Sequence, residues 1–184
     1  MKLLRKNIET AEAIDAMIQT AERNAEKLWP KTRKLFERAK TGMANEDEAK
    51  RAWLTAVIAA DTYLMGESRN MSRAELTNVH AALDARFAGG ADADRYEYFR
   101  GLVLYSLSDP DAAASGKLYP LVSGLLNVLH SGFDAAIKID EEGDPDALSA
   151  AYPALLRDIG VIFSLQLIAW RHVFENYKVT FTAV

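Results

Sequence analysis

The stretch DIGVIFSLQLIAWRHVFENY, residues 158–177, contains twelve consecutive uncharged residues at 159–170. Such a run is a membrane anchor, the centre of a core, or a face kept for a partner, and the choice decides the fold. As a helix, twelve residues rise about 18 Å, against roughly 30 Å of bilayer hydrocarbon. Charges fence the run on both sides, with Arg157 and Asp158 before it and Arg171 after it. On a helical wheel Val161, Leu165 and Ile168 share one face, while Phe163, Leu167, Trp170 and Phe174 share the opposite one. A helix that is apolar all round belongs in the middle of a bundle. The run therefore reads as a core helix of a soluble protein. The other long uncharged stretch, 118–133, contains Pro120, two glycines, Asn127 and His130, and is also too short to span.

Working outward from that helix, the rest of the chain punctuates itself into further helices. Leu4, Ala11, Ile18, Ala25 and Ala39 recur at multiples of seven residues, with Ile14, Ala21, Leu28 and Leu35 interleaved. This predicts one long N-terminal helix over about 4–40. Pro30 removes a backbone donor and crowds the preceding turn, so a kink or split is expected there. Asn45 with Glu48, and Ser72 with Glu75, have the spacing of capping boxes. They open helices ending near Gly66 and at Gly89-Gly90. A fourth helix runs from about residue 92 to 107, and Pro110 marks a short one ending near 116. Pro120 opens a helix to about 139; the acidic loop 140–146 leads to the last helical region, with a break at Pro153. Only the tail, 177–184, reads as extended, with Val179, Phe181 and Ala183 alternating against polar neighbours. The expected fold is all-α: a single-domain bundle of six or seven helices over 1–184, with a hydrophobic C-terminal core helix and a Pro30-kinked arm at 1–41.

Composition is that of a globular domain, 49% apolar and 26% charged over 184 residues. There is no cysteine, which excludes disulfides, thiolate metal sites and cysteine nucleophiles; this fits a cytoplasmic protein. The net charge is −4, yet residues 1–40 carry ten Lys/Arg against six Asp/Glu. An acidic whole with a basic arm argues against a general nucleic-acid binder.

Within that arm Arg23, Lys27, Lys31, Lys34 and Arg38 fall on one helical face, a stripe suited to an acidic partner surface or to pairing with the 140–146 loop, within the chain or between copies. Asp61 stands on an apolar stripe with Leu54, Val57, Ile58 and Met65, where a carboxylate must be paired, protonated or near water. With Tyr98, Tyr105 and His172 it forms the candidate polar lining of a small-ligand pocket, His172 being one possible partner for Asp61. His80, His130 and His172 make no HxxxH or ExxH pair, so neither a metal site nor another cofactor is indicated. Arg73 and His80 have the spacing of the pair in HEPN-type RNases, but Ala74 replaces the polar residue expected after the arginine. The function expected first is a non-enzymatic interaction module. A ligand sensor comes second, and a nuclease a distant third.

Overall fold

The structure, a computed structural model, describes residues 6–90, 92–108 and 118–182, without the side chains of residues 68 and 107. Its elements in order are β1 (Lys6–Glu9), α1 (Thr10–Ala39), α2 (Glu46–Arg69), α3 (Arg73–Phe87), α4 (Asp92–Ser108), α5 (Tyr119–Ser131), α6 (Phe133–Glu142), α7 (Ala147–Ala151), α8 (Pro153–Ser164), α9 (Ala169–Asn176) and β2 (Tyr177–Thr180). The all-α bundle is as expected. The short helix expected around Pro110 lies outside the described residues.

The bundle is built around α2 and α5. Ala49, Ala52, Trp53, Ala56, Val57 and Ile58 on α2 are buried, as is the whole run 121–129 of α5. Alanine makes this possible on α2: with no side chain beyond Cβ, it lets neighbouring helices approach from several sides at once. Trp53 fills the space between them, edge-on to Trp29 of α1 at 6.5 Å and to Phe163 of α8 at 5.7 Å. Burying aromatics of this size is a large share of the core's apolar gain.

The N-terminal segment departs from expectation. Lys6–Glu9 is a strand, paired in parallel with Tyr177–Thr180 so that Ile8 stands opposite Val179. Ile8 is buried against the body, and the pairing satisfies backbone groups that a helix would have satisfied internally. The helix starts only at Thr10, where Glu9 and Glu12 form a reciprocal capping box. Nor is the helix split at Pro30: α1 is continuous from Thr10 to Ala39, with Pro30 exposed to solvent. There the carbonyl deprived of its donor can be hydrated, which lowers the cost of an internal proline.

The expected helix over 120–139 breaks at Gly132, whose φ of +90° favours glycine. Glu48 explains the break. Asn45 caps α2 by accepting from the Asp47 and Glu48 N–H groups, but the Glu48 carboxylate does not return to complete the box. It accepts the Phe133 N–H at 2.8 Å instead, and so caps α6. The Ser72–Glu75 box forms as expected.

The C-terminal run is also divided. Residues 165–168 form a turn between α8 and α9, and the two helices pack separately. Ile159 and Phe163 enter the core, but Val161, Leu165 and Ile168 are 58%, 61% and 47% exposed. The C-terminal run is therefore a core element on one face only. The fully surrounded positions are on α2 and α5, because burial depends on where a helix lies among its neighbours and not only on how apolar it is.

Candidate interaction surface and polar sites

The buried face of α1 includes Ala21, Trp29, Thr32, Leu35 and Phe36. Arg23, Lys27, Lys31, Lys34 and Arg38 occupy about 80° of arc at 100° per residue, pointing well away from that face. All five are exposed. Arg23 donates to Thr20 Oγ1 at 3.2 Å, and Arg38 lies 3.5 Å from Asp158 in the middle of α8. Lys27, Lys31 and Lys34 have no ion-pair partner among the described residues; the nearby Glu37 is engaged by Arg33 instead.

The acidic loop does not neutralise the stripe. Asp140 accepts the Tyr98 hydroxyl at 2.6 Å. Asp144 accepts the Asp146 N–H, and Asp146 in turn accepts from Ser123 at 3.3 Å and Tyr119 at 3.4 Å. Asn127 donates to the Pro145 carbonyl at 2.9 Å. These bonds stitch the loop to α4 and α5. The intrachain pairing considered from sequence is thus absent among the described residues.

Asp61 is fully buried and has no charged partner among the described residues. Its Oδ2 accepts the N–H of Ala169, the first residue of α9, at 3.2 Å, while Oδ1 has no partner. Burial raises its pKa to about 8, opposed only in part by the Ala169 hydrogen bond. The three residues grouped with it from sequence lie elsewhere. Tyr98 is committed to Asp140, and burial together with that carboxylate raises its pKa. Tyr105 is 53% exposed on α4. His172 is exposed, and Asn176 donates to its carbonyl, so it is not the partner of Asp61. The structure does not bring these four side chains to one pocket.

A different groove, of about 540 Å³, opens between α2, α3 and α4. Met71, Leu76, Val103 and Leu104 supply its apolar lining; Thr62, Tyr63, His80, Tyr96 and Arg100 supply polar groups. His80, half-buried, has its pKa lowered by burial first and by Arg100 second. His80 Nδ1 is buried with no hydrogen-bond partner among the described residues, and the buried Tyr96 hydroxyl lies beside that of Thr62. Arg73 does not line this groove, so the two residues of the nuclease reading do not share it. His130 is engaged with Ser131 at 2.9 Å. No group of three or more metal-ligating side chains occurs among the described residues. Sequence reading noted His80 but missed Arg100 and Thr62, because the grouping arises from three helices whose relative placement has no local signature.

Comparison with protein-family models, with curated proteins and with solved structures finds no match for this chain. The segment Pro153–Asn176, 24 residues with a mean hydropathy reaching 1.3, is apolar and long enough to cross a membrane by length and composition alone. In the fold it is interrupted by the 165–168 turn.

Proposed function

We propose that this chain is a non-enzymatic interaction module of the cytoplasm whose outward face of α1 binds an acidic surface on a protein partner. The observation that carries the reading is the stripe itself: five exposed cations on the side of α1 turned away from the body, three of them without a counter-ion among the described residues. Clustered exposed cations repel one another, and an acidic partner relieves that repulsion while speeding encounter through long-range attraction. A second copy offering its acidic loop is a less favoured occupant, because Asp140, Asp144 and Asp146 already accept hydrogen bonds within their own chain. Self-association through α1 is therefore kept as an outcome of the test.

The test is photocrosslinking in cells from a benzophenone side chain placed at the exposed Glu26 position of α1, comparing the chain with its lysines intact against one that also carries Lys27→Glu, Lys31→Glu and Lys34→Glu. The expected result is a protein crosslinked through α1 when the lysines are intact and lost on reversal. Its purified complex should weaken steeply as salt rises through the physiological range. Crosslinks between copies of this chain would identify self-association. A partner crosslinked equally by the reversed variant would refute the assignment.

A further inference from the structure

We propose that the groove between α2, α3 and α4 binds a small amphipathic carboxylate, its apolar chain along Leu76, Val103 and Leu104 and its head group at His80, Tyr96 and Arg100. This site is independent of the basic face of α1, and either assignment can fail alone.

Three observations point the same way. The first is space: about 540 Å³ falls within the range of pockets that enclose small ligands. α3 reaches α2 closely at one point, where a Cβ on Gly66 would lie 2.8 Å from Leu76 Cδ2, and beyond it the groove opens. The second is lining. The apolar side chains are of the size and kind that accept a hydrocarbon chain, and Leu104 is 55% exposed at the rim without a partner surface of its own.

The third observation is unsatisfied chemistry. His80 Nδ1 is buried with no hydrogen-bond partner among the described residues. Tyr96 is 2% exposed, and its hydroxyl lies beside that of Thr62, which is itself donated to the Ile58 carbonyl at 2.8 Å. Orphaned buried groups are costly and call for an explanation such as a bound partner. The polar groups on offer are chiefly donors: a tyrosine hydroxyl, a guanidinium and an imidazole. A carboxylate, which only accepts, is the complementary head group. Arg100 contacts Asp84 at 3.6 Å and Glu97 at 3.3 Å, but those acids are well exposed and do not line the groove. Such exposed pairs hold a guanidinium weakly. Glu67, also lining the groove, is the one feature that would favour a cationic head group instead.

The probe is octanoate, added to the full-length chain and compared with octylammonium. Binding is followed by the NMR titration of the His80 ring, which faces Arg100 and Glu97 of α4, Asp84 of its own helix, and the Tyr63 and Glu67 side of α2. Saturating octanoate should move shifts of groove residues and raise the His80 pKa by about one unit, since a carboxylate favours the imidazolium. Arg100→Gln should weaken octanoate about tenfold, as expected for loss of a charge-assisted hydrogen bond, and leave the melting temperature nearly unchanged. Tyr96→Phe separates a ligand contact from a structural one: it should leave the melting temperature of the ligand-free chain nearly unchanged, since only the contact with the Thr62 hydroxyl is lost, and weaken octanoate. Absence of saturable shifts, equal binding of octylammonium, or a Tyr96→Phe variant that is less stable with unaltered octanoate affinity would overturn the proposal.

Discussion

Replacing Asp61 by asparagine should make the protein more stable, and increasingly so as pH rises. In the unfolded chain this carboxyl titrates near its ordinary 3.8; in the fold, burial moves it to about 8. Between those values the folded state holds a proton that the unfolded state has released, so stability falls by about 1.4 kcal/mol for each pH unit. The contribution is fully present below pH 3.8 and is lost progressively as pH rises to about 8. By pH 7 the accumulated loss is on the order of 4 kcal/mol. Asparagine is neutral throughout, nearly the same shape, and keeps an oxygen to accept the Ala169 N–H. Its amide hydrogens meet a site where Oδ1 has no partner, a penalty of about 1–3 kcal/mol that offsets part of the gain. The expected net is near zero at pH 5 and about 4 kcal/mol in favour of the variant at pH 8, since the penalty is the same at both. That corresponds to a melting temperature higher by about 8–16 °C for a chain of this size. Urea unfolding followed by tryptophan fluorescence at several pH values measures it directly, because all other titrations cancel between variant and wild type. A difference in unfolding free energy that does not change between pH 5 and pH 9 would refute the reasoning, and would mean that the carboxylate is solvated or paired in solution.

Three further outcomes follow from particular contacts. Glu48→Ala removes the acceptor of the Phe133 N–H and a neighbour of Arg95; a loss of about 1–3 kcal/mol in urea unfolding is expected, with Glu48→Gln losing less. Gly132→Ala forces a Cβ into a residue with φ of +90° and to 3.4 Å from Glu48 Oε1; a cost of about 1–2 kcal/mol should appear as a lower thermal midpoint. Val161→Ser and Leu165→Ser together should change stability by less than about 1 kcal/mol, whereas Phe163→Ala on the same helix should cost about 3–5 kcal/mol; comparable losses would mean that both faces of α8 are buried in solution.

Much of the fold was legible because its signals are local. Capping residues and prolines mark the starts of α2, α3, α5 and α8 close to where they occur, and the 4-then-3 spacing reveals α1 over most of its length. What failed required knowledge of neighbours. The strand at Lys6–Glu9 exists because Tyr177–Thr180 lies beside it, a pairing between segments at opposite ends of the sequence. Glu48 read as a helix cap of its own helix and turned out to cap α6, eighty-five positions away at Phe133. The ranking of core helices went astray for a related reason. Uninterrupted apolar length favoured 159–170, but alanine-rich α2 packs more closely on more sides, so its modest hydrophobicity is buried more completely.

The sites divide along the same line. The stripe on α1 was legible because one helix carries it whole, and the structure leaves it exposed. Asp61 was legible as an anomaly, since a carboxylate among Leu54, Val57 and Ile58 violates the pattern of its own helix. Its environment was not, because its hydrogen-bond donor is the Ala169 N–H at the start of α9. The α2–α3–α4 groove had no signature at all: His80, Tyr96 and Arg100 each look ordinary on their own helices. Natural sequences keep local choices consistent with the global fold except where something else is being selected. A buried acid with one oxygen unpaired and lysines without counter-ions, both among the described residues, are two such departures, and each costs stability in the isolated chain. Asp61 tests that cost by removal, and the α1 lysines by the partner that would offset their repulsion.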